Sequence, residues 1–231
     1  MPAMKTFITP AAVAAFLFAI NNPEVHAGES SKMPKYDYEP PQPGTYRLPV
    51  IKPASDGDVL DSKGKPRRLS DFQRGRVTVL SFIYTRCATV EACPYATGVL
   101  SQLQELSDAD PALAKGLQLI SLSFDPENDT PPRMAAYAKL AADRPSAAPW
   151  QFLTTTSPAA LQPILAAYDQ AVDKKANPAD PAGPLNHTLR VYLLDAQARI
   201  RNIYSSGTLD LRLVLADIRT LMIEPSQAVA R

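Results

Sequence analysis

The chain has 231 residues, of which 45% are hydrophobic and 20% charged, a composition that supports a packed core and excludes a largely disordered protein. The formal net charge is only +1, which argues against a general nucleic-acid-binding protein because such a protein needs a strongly basic face. With only two cysteines, a disulfide-dense scaffold is also excluded.

The N-terminal segment 1–27 predicts a secretory signal peptide. Lys5 precedes an apolar run, Phe7–Ile20. That run is shorter than the about 20 residues that a transmembrane helix needs. Val25 and Ala27 have the small or apolar character that signal peptidase requires, so we expect cleavage after Ala27 and a periplasmic protein without a stable membrane anchor. An uncleaved anchor or a buried helix is the alternative.

The rest of the chain divides by composition into three parts. Residues 28–52 predict an extended, polar, Pro-rich arm, residues 53–224 a single folded domain, and residues 225–231 a C-terminal tail. The folded domain opens with a hairpin predicted over Gly57–Leu69, because a short apolar piece is followed by a polar turn and a return segment. A short helical turn follows at Ser70.

Strands and helices alternate through the folded domain. The apolar runs Val77–Tyr84 and Leu117–Phe124 are typical of strands buried on both faces of a sheet. The helix expected to start at Pro94 carries four apolar residues at helical spacing: Val99, Leu100, Leu103 and Leu106. A helix over 131–142 and a strand at Trp150–Leu153 follow. The next helix is capped by Ser157 and has a buried face made of Leu161, Ile164, Leu165 and Tyr168. A hairpin of Leu189–Asp195 with Ile200–Tyr204 comes next, and the last helix has an apolar face made of Leu211, Val214, Leu215, Ile218 and Leu221. This order predicts a three-layer α/β domain with a mixed sheet.

The two cysteines lie where a buried strand leads into a helix. Cys87 follows the strand, and Cys93 directly precedes Pro94. Because the residue before proline avoids the α region, we expect Cys93 to cap the helix, where the helix dipole favours its thiolate form. Residues six apart point to roughly opposite sides of one helix, so residues 87–93 must form a loop if the two sulfurs are to meet.

Three kinds of pair fit this arrangement: a structural disulfide, a redox-active dithiol and a two-sulfur metal site. A loop of about seven residues closed by a disulfide contributes about 2.4 kcal/mol in the chain-entropy model, so its stability value does not exclude the structural disulfide. The position favours a functional pair, because open α/β folds place their chemistry where strands lead into helices.

His187 is the single histidine left after cleavage at Ala27. It follows a long segment, Asp169–Leu185, whose three prolines predict irregular structure of functional or mobile character. A lone loop histidine is usually a surface group, so its role stays open on the residues alone. An imidazole beside two thiolates suits copper in both oxidation states, and zinc also fits chemically.

Four segments, in one order along the chain, resemble the SCO/SenC family of copper-binding proteins, which have a thioredoxin-like fold. The resemblance covers about residues 50–222. Its segments are Gly64-Lys65 with Leu69-Ser70-Asp71-Phe72, Phe82-Ile83-Tyr84-Thr85-Arg86-Cys87, the stretch Ser121–Pro131, and Asn186-His187-Thr188 ahead of Val191–Asp195. Within the third segment, the neighbouring prolines favour a structural role for Asp125 and Asp129 over general acid–base catalysis.

The resemblance implies a thioredoxin-like three-layer α/β/α domain with a mixed central sheet and an N-terminal hairpin. It implies that Cys87, Cys93 and His187 match the family's copper ligands. It further implies delivery of copper, Cu(I) or Cu(II), to a periplasmic acceptor such as a cytochrome c oxidase subunit, or reduction of that acceptor's oxidised thiols.

The chain departs from the family pattern at three positions. Its cysteines are spaced Cys-x5-Cys instead of Cys-x3-Cys, Ala88 follows the first cysteine where the family usually has proline, and Asn186 precedes the histidine where Asp is common. The longer loop puts the strength and geometry of copper binding in question. Two alternatives therefore stay open: a thiol–disulfide oxidoreductase that uses Cys87 and Cys93, and a domain with a purely structural disulfide. Whether the protein is an enzyme also stays open.

Overall fold

A computed structural model of the chain describes residues 36–139 and 147–224. The predicted signal peptide (1–27), the predicted tail (225–231) and the last residues of the helix predicted over 131–142 lie outside these ranges. Within them, no helix combines the length and the apolar character needed to cross a bilayer. The proposed division of the chain into four parts stays a prediction.

Ten strands and six helices are defined within the described residues. The strands are β1 (Lys52–Pro53), β2 (Asp58–Leu60), β3 (Pro66–Arg68), β4 (Val77–Ile83), β5 (Leu117–Ser123), β6 (Trp150–Leu153), β7 (Val172–Lys174), β8 (Leu185–His187), β9 (Val191–Leu194) and β10 (Arg199–Tyr204). The helices are α1 (Ser70–Gln73), α2 (Cys93–Asp108), α3 (Pro111–Gly116), α4 (Pro131–Ala138), α5 (Pro158–Ala167) and α6 (Leu211–Ile223).

Six strands form a central mixed sheet in the order β1-β10-β9-β4-β5-β6. The three strands β4, β5 and β6 run parallel, and β9 pairs antiparallel with β4. The hairpin of β9 and β10, and that of β2 and β3, follow the sequence prediction. Because β4 and β5 both lie inside the sheet between other strands, both are fully buried, as expected from their largely apolar sequences.

Helices cover both faces of the sheet. Along β4, Val77 and Val79 face a core cluster that includes α2 and α6, whereas Leu80 and Phe82 face a second cluster that includes α5. This alternation with a period of two residues separates the two cores. The resulting three layers confirm the predicted α/β/α architecture.

The predicted helix faces pack largely as expected. Ser157 caps α5 by accepting a hydrogen bond from the backbone N–H of Ala160, and the four predicted apolar side chains of that helix are buried. One expectation for α2 is wrong: Leu106 is 40% exposed, while Val99, Leu100 and Leu103 are buried. A 3.6-residue period tolerates one apolar residue at the edge of the buried face, and Leu106 occupies that edge.

The segment predicted as irregular over Asp169–Leu185 contains regular structure. Strands β7 and β8 form a two-stranded hairpin in which Val172 pairs with His187 and Lys174 with Leu185. The strands have three residues each, and the prolines that obscured them lie in the connection between them. His187 is therefore the last residue of a strand and not a loop residue.

Candidate metal and thiol site

The two cysteines and His187 meet beyond the carboxyl end of β4. Cys87 N–H donates to the carbonyl of Tyr84, which turns the chain immediately after the strand. Cys93 is the first residue of α2, one position inside the helix and not its cap as predicted. The loop between them is closed by a hydrogen bond from Ala92 N to Thr89 O, so residues 87–93 form the loop without which the two sulfurs could not meet.

One ligand atom from each of Cys87, Cys93 and His187 lies within 4.8 Å of the other two. The His187 Nε2 atom is 3.5 Å from the Cys93 sulfur. Both cysteines are free thiols. Cys93 is buried, whereas Cys87 and His187 are half-buried. The structure thus brings all three predicted site residues together, with Cys87 and His187 partly exposed to solvent.

The pKa values of the two thiols are shifted in opposite directions. The hydrogen bond from Cys93 to the Cys87 sulfur is the main factor that lowers the pKa of Cys87, and His187 lowers it further. The same interaction with Cys87, together with burial, raises the pKa of Cys93. The sequence predicted that the helix dipole favours the thiolate form of Cys93. In the structure the pKa of Cys93 is instead raised, and Cys87 has the lowered pKa because Cys93 donates a hydrogen bond to its sulfur.

Two aromatic rings fix the orientation of the imidazole. The ring of Tyr84 meets that of His187 edge to face, with centroids 5.5 Å apart, and Phe124 lies 4.9 Å away on another side. Both rings come from the residue that directly follows a central strand, β4 for Tyr84 and β5 for Phe124. Neither residue was predicted to belong to the site, although Tyr84 and Phe124 both lie within family-like segments, Phe82–Cys87 and Ser121–Pro131.

The hairpin that carries His187 is seated on the cysteine loop through one carbonyl. Ala182 O accepts hydrogen bonds from Tyr84 Oη at 3.3 Å, Ala88 N at 3.4 Å and Thr89 Oγ1 at 3.5 Å. Burial raises the pKa of Tyr84, which keeps its hydroxyl protonated as a donor. The next residue, Gly183, has φ +101° and passes so close that an added Cβ would collide with Tyr84 Oη. Only glycine fits this conformation and this contact.

The predicted structural role of two aspartates is consistent with their contacts. Asp125 accepts a hydrogen bond from the guanidinium of Arg86 at 2.8 Å, and Asp129 accepts one from the backbone N–H of Thr85 at 2.9 Å. Both contacts hold the two residues that precede Cys87. Neither aspartate is among the residues whose ligand atoms cluster at the site.

Comparison with known proteins agrees with this arrangement. The SCO1 protein homolog of Bacillus subtilis (strain 168) is 30% identical over 133 residues, which is 57% of this chain and 63% of that protein. The chain thus spans less than two thirds of the length of this relative.

Solved structures of similar proteins share the fold. The Bradyrhizobium japonicum ScoI structure with copper bound has a TM-score of 0.56 at 24% identity and covers 71% of this chain and 96% of that chain. The structure of BsSco has a TM-score of 0.60 at 21% identity and covers 78% of this chain and 100% of that chain. BsSco is described as a member of the Sco family of cytochrome c oxidase assembly proteins, and a disulfide switch was identified in it. These likenesses confirm the thioredoxin-like fold expected from the sequence.

A family model described as SCO1/SenC matches residues 55–223, which include the whole sheet beyond β1 and all three clustered residues. The chain therefore belongs to the SCO1/SenC family.

Proposed function

We propose that the protein is a periplasmic copper-binding metallochaperone that assists assembly of a respiratory copper centre such as that of cytochrome c oxidase. The observation that carries this proposal is the convergence of Cys87, Cys93 and His187, whose ligand atoms lie within 4.8 Å of one another. Copper is the cargo of the site, and its acceptor is a periplasmic protein that we expect to be an oxidase subunit.

The donor set fits copper. Thiolate sulfur is the ligand type that Cu(I) prefers, and imidazole nitrogen also suits Cu(II), so two sulfurs and one nitrogen serve both oxidation states. The longer Cys-x5-Cys loop does not separate the sulfurs, because its turn and the first residue of α2 return the chain to the site. The family membership and the copper-bound relative support the same cargo.

The exposure of the ligands suits delivery. Cys93 is 1% exposed and is part of α2, whereas Cys87 and His187 are half-buried and so partly accessible to solvent. An acceptor's thiolates can therefore reach the metal from the side of Cys87 and replace the protein's ligands one at a time. The similarity to BsSco, a member of a family of cytochrome c oxidase assembly proteins, supports this type of recipient.

The periplasmic location rests on the sequence of the N-terminal segment 1–27. The apolar run Phe7–Ile20, followed by Val25-His26-Ala27, has the pattern of a cleaved signal peptide. Mass spectrometry of the protein from a periplasmic fraction should give a chain that begins at Gly28. Recovery of the intact chain from the cytosolic fraction would contradict this location.

Titration of the fully reduced protein with Cu(I), in competition with a chromophoric chelator, tests the proposed cargo. We expect one equivalent of copper to bind tightly, and a second protein with free thiolates to remove it on mixing. Absence of stoichiometric binding would contradict the proposal.

The opposite pKa shifts of the two thiols favour a second candidate function, thiol–disulfide oxidoreduction. The Cys87 thiolate would attack a partner disulfide, forming a mixed disulfide and releasing one partner thiolate. Cys93 would then lose its proton to solvent and attack the Cys87 sulfur, releasing the second partner thiolate and leaving a Cys87–Cys93 disulfide. Two electrons pass to the partner, and a thioredoxin-like dithiol would restore the reduced pair.

Replacement of Gly183 by alanine is expected to weaken copper binding about 10- to 100-fold, in the range seen when a group that orients a metal ligand is lost. The new methyl group would collide with Tyr84 Oη and with the carbonyl of Arg86, so the hairpin and His187 must move away from the cysteines. Copper affinity by chelator competition measures the effect.

Gly75→Ala is the matched control for this variant. Gly75 has a similar positive φ of +83°, but nothing lies within 4 Å of the position that its Cβ would take. It therefore carries the same backbone strain without the collision. Equal loss of copper affinity in both variants would show that the contact with Tyr84 is unimportant.

A further inference from the structure

A buried carboxylate, that of Asp129, binds the chain two residues before the first cysteine. Asp129 has no exposed surface, and its carboxylate accepts three hydrogen bonds: from Thr85 Oγ1 at 2.5 Å, from Thr85 N at 2.9 Å and from Ser123 Oγ at 2.6 Å. Among the described residues, none of these donors is a cation. Burying a carboxylate is costly unless its oxygens are hydrogen-bonded, so this set of contacts stabilises one fixed geometry.

The carboxylate joins the ends of the two central strands. Thr85 lies two residues after the end of β4 and two residues before Cys87, and Ser123 is the last residue of β5. Asp129 is itself held, since its N–H donates to Asp125 O at 2.7 Å. Asp125 in turn binds Arg86 at 2.8 Å. Both residues that precede Cys87 are therefore attached to the same turn, residues 125–129.

The cysteine loop has few other fixed points. Beyond Cys87, the loop is held by two long hydrogen bonds to Ala182 O, from Ala88 N at 3.4 Å and from Thr89 Oγ1 at 3.5 Å. Its other contacts are its own turn at Thr89 and a hydrogen bond from Tyr95 N to Val90 O at 3.1 Å. Ala88 and Val90 are exposed. Cys93 is fixed by α2, so the separation of the two sulfurs depends on where the chain leaves β4. The contacts of Asp129 determine that exit.

We propose that Asp129 is a positioning residue for Cys87, which sets the distance between the two sulfurs and thereby the affinity of the site for a soft metal ion. The consequence for copper rests on the proposed function, whereas the consequence for the sulfur separation does not. Asp129 does not touch the metal; it acts through the backbone and hydroxyl of Thr85.

The test is Asp129→Asn, which keeps the shape of the side chain but presents an NH₂ group to donors that need an acceptor. Copper affinity is expected to fall about tenfold, the lower end of the range for groups that orient a metal ligand. In the metal-free protein, a bifunctional alkylating reagent that bridges neighbouring thiols should cross-link Cys87 to Cys93 more slowly than in the wild type.

Asp217→Asn is the matched control. Asp217 is 1% exposed and accepts hydrogen bonds from Tyr46 Oη and Tyr204 Oη, both at 2.6 Å, and from Asn202 at 2.8 Å. It lies on α6 and touches none of the three clustered residues. We expect this variant to lose stability in urea as Asp129→Asn does, but to keep wild-type copper affinity and cross-linking rate.

Thr85→Val provides a second variant if Asp129→Asn does not fold. It removes the hydroxyl bond to Asp129 and keeps the backbone bond, so a smaller loss in the same two measurements is expected. Wild-type affinity and cross-linking in a folded Asp129→Asn or Thr85→Val protein would overturn the positioning role. If the wild type itself binds no copper, the proposed function fails, while slower cross-linking in Asp129→Asn would still support the role of Asp129.

Discussion

Replacing Cys93 by serine is expected to weaken copper binding by about two to three orders of magnitude. Structural zinc sites with four ligands bind with about 10–16 kcal/mol, or roughly 2.5–4 kcal/mol for each ligand. That free energy corresponds to a change of about 10²- to 10³-fold in the dissociation constant. A serine hydroxyl is a hard, protonated donor and does not replace a thiolate toward copper.

Chelator competition with the reduced Cys93→Ser protein measures this loss. Ala96→Ser is the control, because Ala96 is also fully buried on α2 and the change likewise adds a hydroxyl to the core. We expect the control to lose stability and to keep its copper affinity. Copper binding that is unaffected by Cys93→Ser would remove Cys93 from the site and contradict the proposed ligand set.

Replacing His187 by alanine separates the two proposed functions. Loss of one of three ligands is expected to weaken copper binding by about two to three orders of magnitude, by the same estimate for each ligand. Thiol–disulfide exchange should persist, because Cys93, more than His187, lowers the pKa of Cys87. The two measurements on one variant are copper affinity and the rate at which the reduced protein opens a small aromatic disulfide.

Asn186→Ala is the control for the histidine variant. Asn186 neighbours His187 on β8, but it is exposed, and in the strand register it lies opposite Asp173. It should leave both measurements unchanged. If His187→Ala instead abolished disulfide exchange and left copper binding intact, the histidine would serve thiol chemistry and the metallochaperone proposal would fail.

The parts of the fold that follow from local pattern were predictable. Val77–Ile83 and Leu117–Ser123 are largely apolar runs, and such runs are typical of strands that are buried on both faces of a sheet. Ser157 followed by Pro158 marks a helix start, because the serine side chain accepts a hydrogen bond from a backbone N–H of the first turn and proline fits the first helical position. Helix geometry predicted only that residues 87–93 must form a loop if the two sulfurs are to meet, and the structure has such a loop.

The parts that depend on long-range contacts were not predictable. The strands Val172–Lys174 and Leu185–His187 are short and largely polar, and they are held by contacts with distant parts of the chain. Ala182 O accepts from the cysteine loop, and Val172 and Leu185 pack against a core cluster. The pKa order of the thiols depends on which sulfur donates to the other, which is set in three dimensions. The approach of His187 to both cysteines was an expectation from the resemblance and has no local signal in the residues themselves.

X-ray absorption spectroscopy at the copper edge of the loaded, reduced protein tests the proposed site most directly. We predict a first shell of two sulfur atoms and one imidazole nitrogen, with loss of the nitrogen in His187→Ala and of one sulfur in Cys93→Ser. A wild-type spectrum without imidazole scattering, unchanged by His187→Ala, would contradict the three-ligand copper site.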